Sequence, residues 1–287
     1  MLNKNNVGGS SDSDEYIQLS LNESELTKIN ELIYRRAGIV LSGQKRDMVF
    51  NRLSRRLRKL DVRSFKEYIN ILQNSTNDGE WQHFINALTT NLTSFFREAY
   101  HFPILAEHAR SRPNNYSVWC TAASTGEEPL SIAITLEETL GPSLTPPRVW
   151  ATDIDTDVLL KAKQGLYQLR DIESLTPEQK KRWFLRGKND QSQLVKVKKE
   201  LASCIHYERL NLINSTWNVP APFDSIFCRN VLIYFDQKTQ ETIINRFAKM
   251  LKPGGLLFIG HSEHFSKSTT PFRLKGQSVY VLDGEGK

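Results

Sequence analysis

Residues 118–131 read VWCTAASTGEEPLS: an apolar start, a turn of small residues, then a helical pattern. Val118 and Trp119 are β-branched and aromatic, which favours a strand. Ala122, Ala123, Ser124 and Gly126 leave room for a ligand to approach the backbone, and Pro129 fits the first turn of a helix, where its missing N–H costs little. Leu130, Ala133, Ile134, Leu136 and Leu140 follow at helical spacing, so strand, turn and helix succeed one another as at the mouth of an open α/β sheet. The turn lacks a G-x-G-x-x-G pattern and carries Glu127 and Glu128 instead. Adjacent acids disfavour a pyrophosphate and favour a ligand with a cationic or hydroxyl-rich end, such as the amino and sulfonium groups and ribose of S-adenosylmethionine (SAM).

Outward from this stretch, helical and strand patterns alternate beyond residue 115, the signature of a parallel sheet covered by helices. RVWATDID (148–155) reads as a strand ending in acids, with Thr156 as the cap of the helix that holds Val158, Leu159 and Ala162. FDSIFCRN (223–230) reads as a buried strand with polar residues at its carboxyl end. The helix around Ile243, Phe247, Met250 and Leu251 is expected to stop at LKPGG (251–255), and LLFIG (256–260) to resume the sheet. Ser278 to Leu282 is short enough for an antiparallel return. Between Gly165 and Ile205 the alternation breaks, and LVKVKKEL (194–201) begins with the period-two pattern of a short strand in an inserted ribbon.

Upstream, residues 1–15 are rich in Gly, Ser, Asn and Asp and read as disordered. Residues 16–90 read as a small all-helical domain. Asn22 with Glu25, and Ser64 with Glu67, are capping-box candidates, and Gly38 can end the first helix. Leu26, Ile29, Leu32 and Ile33 form one apolar face; Trp81, Phe84, Ile85 and Leu88 form another. Residues 91–115 read as a linker and first helix leading into an α/β domain at 116–287, with an inserted β-subdomain at about 168–204.

The chain has 287 residues, 39% of them hydrophobic and 24% charged, which allows one or two domains with a sizeable core. No apolar run approaches the ~18 to 20 residues of a membrane span, and the polar start lacks the apolar segment of a secretion signal. Cys120, Cys204 and Cys228 show no C-x-x-C spacing, so neither a disulfide framework nor a zinc site is indicated, and a reducing cytoplasm is the expected compartment. A net charge of +6 admits nucleic acid, an acidic membrane surface or an acidic protein as partner.

In an open α/β sheet, ligands sit outside the carboxyl ends of the strands, and those ends here supply Glu128, Asp153 and Asn230. A carboxylate offers two acceptor oxygens in one plane, which suits Asp153 to the two hydroxyls of a ribose, although acids there also suit a helix start. Asn91, Thr93 and Arg97, in NLTSFFRE (91–98), lie in the join between the two domains, where sites often form. Arg52, Arg55, Arg56 and Lys59 share one face of a helix whose other side, Val49, Leu53, Leu57 and Leu60, can pack. An exposed basic ridge of this kind fits an acidic helix or a phosphate backbone. Tyr234 follows Asn230 in RNVLIYF (229–235), at the sheet mouth. His261 and His264, in GHSEHF (260–265), do not have metal-ligand spacing, and no metal is expected.

NLTSFFRE, ASTGEEP, ATDIDTDVL, IFCRNVLIYF, LKPGG and GHSEHF, in this order and spacing, resemble the bacterial chemotaxis receptor glutamate methyltransferase family, CheR. The resemblance runs from about residue 18 through nearly the whole chain. It implies a Rossmann-like SAM-dependent methyltransferase domain of the α/β class, with an N-terminal all-helical domain and a small inserted β-subdomain. It also implies methyl transfer from SAM to chemoreceptor glutamates, with S-adenosylhomocysteine (SAH) as the other product. Position by position, it makes Asn91, Thr93, Arg97, Glu128, Asp153, Asn211, Leu212, Arg229 and Asn230 the cofactor shell and puts Arg97 and Tyr234 nearest the chemistry. The basic ridge becomes a dock for the receptors' methylation helices, and the insertion resembles a subdomain that in some members binds a receptor's C-terminal pentapeptide by strand addition. A monomeric cytoplasmic enzyme recruited to membrane-bound receptor arrays is expected, with neither nucleic acid nor membrane insertion. An RNA methyltransferase and a non-catalytic SAM sensor are the alternatives; no N-P-P-Y-like motif or paired catalytic cysteines support the first.

Overall fold

The computed structural model describes residues 19–41, 45–74, 78–112, 115–143, 145–263 and 270–282. The expectation of disorder for residues 1–15 and the reading of His264 lie outside them.

Four helices come first: α1 (Glu23–Ala37), α2 (Arg46–Lys59), α3 (Phe65–Asn74) and α4 (Asp78–Leu88). The Asn22/Glu25 capping box opens α1, with each side chain 2.9 Å from the other's backbone N–H, and Gly38 ends the helix at φ 70°. Ser64 makes half of the second box: its hydroxyl accepts from Glu67 N at 3.2 Å, while the Glu67 carboxylate reaches the N–H of Arg63 instead of Ser64. Ile29, Ile33, Val49, Leu53, Leu57, Phe65, Leu72 and Phe84 are fully buried in one core between these helices. Leu60, expected on the packing side of α2, is exposed, because the helix ends at Lys59 and Leu60 is its cap residue.

α5 (His101–Arg110) leads into a seven-stranded sheet. Its members are β1 (Val118–Cys120), β2 (Val149–Asp153), β6 (Ile205–Arg209), β7 (Phe223–Cys228), β8 (Leu251–Ile259), β9 (Phe272–Gly276) and β10 (Val279–Leu282), in the order β6-β2-β1-β7-β8-β10-β9. The first five are mutually parallel, and β10 returns antiparallel beside β8, as the sequence predicts for 278–282. Successive side chains of a strand point to opposite faces. Val118 and Cys120 therefore pack with α6 (Glu127–Leu140), whereas Trp119 packs on the other face against Phe247 of α10 (Gln237–Met250). Chain order leaves β1 in both directions, toward β2 and β6 on one side and β7 and β8 on the other, so a crevice opens at its carboxyl end.

Two local expectations change. α7 (Thr156–Gln164) is capped by Asp155, not Thr156: Asp155 has extended backbone and its Oδ1 accepts from Asp157 N at 2.9 Å and Val158 N at 3.3 Å. LKPGG does not precede the strand but opens it. β7 pairs Phe223 with Leu251 and Ser225 with Leu256, so the Pro-Gly-Gly residues form a bulge inside β8.

The insertion forms a separate antiparallel sheet, β3 (Leu166–Gln168), β5 (Leu194–Val197) and β4 (Phe184–Arg186), with β5 in the middle. LVKV is its central strand. Helix α8 (Pro177–Trp183) precedes β4, and α9 (Lys199–Ala202) links the insertion back to β6.

Candidate active site

A cavity with about 990 Å³ of empty space, open to solvent, lies at the carboxyl ends of β1, β2 and β7 and is walled on the far side by the helical domain. Asn91, Thr93, Arg97, Glu128, Asp153, Asn211, Leu212, Arg229, Asn230 and Tyr234 all line it. Ile39, Leu41, Lys45 and Met48 supply the helical-domain wall. Polar bridges hold the two domains together there. Gln82 donates to the Ile154 carbonyl (2.8 Å), Asn86 to Thr156 (3.0 Å), and Val40 N to the Tyr234 carbonyl (2.8 Å).

The turn after β1 forms one wall. Thr121, Ala122 and Ser124 face the cavity, and Ser124 adopts φ 48°, a left-handed conformation uncommon for a residue with a side chain. Gly126 serves another purpose than ligand access. At its φ of 103° a Cβ would fall 2.6 Å from the Tyr167 hydroxyl, which donates to the Thr125 carbonyl at 2.8 Å. Of the two adjacent acids only Glu128 reaches the cavity; the Glu127 carboxylate accepts from Thr125 at 2.6 Å.

Asp153 ends β2 and is buried, with Oδ2 accepting from Ser124 N (2.8 Å) and Oδ1 from Asp155 N (2.9 Å). Burial pushes its carboxyl up to about 6, against the pull of those N–H groups. Each oxygen retains acceptor capacity toward the cavity. Asp155 does the holding: besides capping α7, its Oδ2 accepts from Thr89 (2.7 Å) and from the Asn91 amide (2.8 Å). Asn91 therefore lines the cavity with its side-chain nitrogen already engaged. Asn211 donates to the Arg36 carbonyl at 2.7 Å, and Leu212 presents apolar surface.

Arg229, at the end of β7, is the electrostatic centre. Its Nη1 meets Glu128 Oε2 at 2.5 Å, its Nη2 lies 3.3 Å from Glu98 Oε2, and Nη2 also donates to the Arg97 carbonyl. Both carboxylates are buried or nearly so. Burial raises the Glu128 carboxyl above its ordinary value against the pull of Arg229. Burial also pushes Glu98 upward, but Arg229 and the hydrogen bonds from His261 outweigh it and hold that carboxyl below its ordinary value. Arg97 itself is half-buried, with Nη1 donating to the Leu92 carbonyl at 2.9 Å. Tyr234 lies under the Lys45 ammonium, 5.4 Å from its ring centroid.

The basic ridge is corrected in part. Arg55 and Lys59 are exposed, joined by Arg58, but Arg52 and Arg56 are not free on the surface. Arg56 pairs with the half-buried Glu80 of α4, Nε to Oε1 at 2.9 Å, and Tyr68 donates to the same carboxylate at 2.7 Å. Arg52 donates to the Thr89 carbonyl at 2.5 Å. The acid that neutralises the ridge comes from another helix, which periodicity along α2 does not reveal.

The description "CheR methyltransferase, all-alpha domain" matches residues 24–89, and "CheR methyltransferase, SAM binding domain" matches residues 91–281. The chain belongs to the CheR methyltransferase family. A chemotaxis protein methyltransferase of Klebsiella aerogenes is 58% identical over 268 residues, 93% of this chain and 92% of that relative. Its counterpart in Escherichia coli K12 is 55% identical over 265 residues, 92% and 93% of the two chains, and chemotaxis protein methyltransferase 2 of Pseudomonas aeruginosa is 46% identical over 259 residues, 89% and 92%. The architecture is that of the CheR family, a helical domain on a Rossmann-like domain, and SAM is the cofactor. The donor set of the cavity fits such a group: acceptor oxygens on Asp153 and Glu128 for hydroxyl and ammonium, a guanidinium on Arg97 for carboxylate, and apolar surface on Ile154, Leu212 and Val231 for a base.

Proposed function

We propose that this CheR-family chain transfers the methyl group of SAM to glutamate side-chain carboxylates of chemoreceptors, forming glutamate 5-O-methyl esters and SAH during chemotaxis adaptation. The observation that carries this reading is a single cavity lined both by the acids Asp153 and Glu128 and by the cationic side chains of Arg97 and Lys45. Bound SAM supplies an electrophilic methyl on a positively charged sulfur. A free glutamate has a pKa of about 4.3, so the nucleophile arrives ionised and needs no general base. Transfer would join one carboxylate oxygen to the methyl carbon and leave the carbon–sulfur electron pair on sulfur, so the site would have no proton to move.

The protein's task is placement and partial removal of water, which can contribute ~7 kcal/mol or more. Asp153 takes the ribose hydroxyls. Glu128 would take the amino-acid end, with Asn91, Thr93, Asn211, Leu212 and Asn230 completing the cofactor shell. Arg229 acts by holding Glu128 and the Arg97 carbonyl. Arg97 and Tyr234 stand nearest the transfer, where Arg97 orients the non-attacking carboxylate oxygen or the cofactor without quenching the nucleophile.

Arg55 and Lys59 offer the acidic methylation helices a docking surface. The outer strands β3 and β4 leave sheet edges where a receptor's C-terminal tail can add a strand. No helix among the described residues is long and apolar enough to cross a membrane; we place the enzyme in the cytoplasm, drawn to membrane receptors by these contacts.

Methyl-tritiated SAM with a chemoreceptor cytoplasmic fragment tests the reaction. The expected label is base-labile and leaves as methanol; alkali-stable label, or label taken up by RNA and not by receptor, would exclude a carboxyl ester. Omission of the receptor tail lowers the rate if the tether operates. Reversing charge at Arg55→Glu and Lys59→Glu together is expected to raise the KM for receptor about tenfold at low salt, with SAH affinity within about twofold. Lost SAH binding in that variant would remove these residues from the docking surface.

A further inference from the structure

We propose that Glu263 is a positioning residue for methyl transfer, setting Asn230 and Tyr234 in the cavity wall through four peptide N–H groups. The proposal rests on the function above, which gives Asn230 to the cofactor and Tyr234 to the transfer region. Glu263 closes the GHSE segment just beyond β8 and is only 3% exposed, yet it does not line the cavity. Its Oε2 accepts from Gly260 N at 2.6 Å and Asn230 N at 2.8 Å; its Oε1 accepts from Leu232 N at 2.8 Å and Ile233 N at 3.3 Å. No salt bridge to a cation is formed by this carboxylate among the described residues.

A buried carboxylate is tolerated only when its lone pairs are well satisfied, and here three of the four donors belong to the loop it organises, the fourth being Gly260 N just beyond β8. That loop leaves β7 irregularly. Asn230 sits at φ 58°, a left-handed conformation that disfavours a side chain, and residues 232–234 form a single 3-10 turn ending at Tyr234. Neither feature is held by sheet pairing. The Glu263 carboxylate satisfies the N–H of Asn230 and the first two N–H groups of the turn, which fixes where both side chains emerge. Gly260 makes the clasp possible: a Cβ there would fall 2.5 Å from Asn230 Nδ2 and 2.7 Å from Glu263 Oε2. The ends of two neighbouring parallel strands are thus tied by one carboxylate, and one of them carries cavity residues.

The test combines Glu263→Gln, Asn230→Ala and the double variant, with SAH affinity by calorimetry, kcat and KM on receptor, and thermal unfolding. Glutamine keeps the volume but turns an amide N–H toward peptide donors. Glu263→Gln is expected to weaken SAH binding and lower kcat, each about tenfold, with KM for receptor unchanged. The double variant should bind SAH no more weakly than Asn230→Ala alone, since residues acting through one another are not additive. Glu263→Asp, which keeps the carboxylate but withdraws it by one methylene from the four N–H groups, should show the same pattern and decides the matter if Glu263→Gln does not fold. A lowered melting temperature with SAH affinity and kcat within about twofold of the parent, or additive losses in the double variant, would overturn the positioning role. Unchanged SAH affinity in Asn230→Ala would instead overturn the cofactor assignment on which the role rests.

Discussion

Asp153→Ala is expected to bind SAH about 100-fold more weakly than the parent chain while remaining folded. Two charge-assisted hydrogen bonds to ribose hydroxyls are worth about 3 kcal/mol together, which is about two decades of affinity. The same carboxylate also anchors the turn after β1 through Ser124 N and the start of α7 through Asp155 N, so its loss loosens two walls of the cavity. Calorimetric titration with SAH measures the effect; an affinity within a few-fold of the parent would move the ribose away from Asp153.

Burial raises this carboxyl to about 6, and SAH affinity should therefore fall as the pH drops through that value. Folding favours the protonated acid, whose ordinary value is 3.8. The group's contribution to stability is thus fully present below about pH 4 and is lost as the pH rises through about 6. At neutral pH the ionised carboxylate weakens the ligand-free fold, and ligand hydroxyls offset that loss.

The second large effect is on stability. Arg229→Met should destabilise the chain by about 3 to 5 kcal/mol, because Glu98 and Glu128 would remain buried without their shared cation. A thermal transition lower by roughly 10 °C corresponds to this. Combining the change with Glu98→Gln and Glu128→Gln should restore part of the loss, since neutral amides remove the uncompensated charge. A drop under about 2 °C for Arg229→Met would show that the guanidinium is not the keystone of this cluster. SAH binding should not recover in the triple variant, because Glu128 has lost its charge.

What could be read from the sequence was local or periodic. Residues 118–131 announce strand, turn and helix because a short β-branched and aromatic run gives way to a turn of small residues and then to Pro129 and Leu130, from which apolar residues recur at helical spacing. Asp153 and Asn230 stand out because polar residues end otherwise apolar strands. Interactions closed by distant segments were hidden. Arg56 looks exposed along α2 until Glu80, on α4, is placed against it. Gly126 looks like space for a ligand until Tyr167 from the inserted sheet fills it. Glu98 and Glu263 both stand in quoted motifs, yet nothing nearby shows that one pairs with Arg229 and the other collects peptide N–H groups from a loop thirty residues upstream. At the α7 start, Asp155 and Thr156 are both good caps, and backbone conformation decides between them. The cavity itself is a product of two domains, and only the join at 91–97 hinted that they would meet there.

A crystal structure with SAH bound tests the account most directly. Density for the ribose within hydrogen-bonding distance of Asp153, with the sulfur facing Arg97 and Tyr234, is the predicted result. SAH lodged outside the crevice at the ends of β1, β2 and β7, or turned so that its sulfur points away from Arg97, would contradict it.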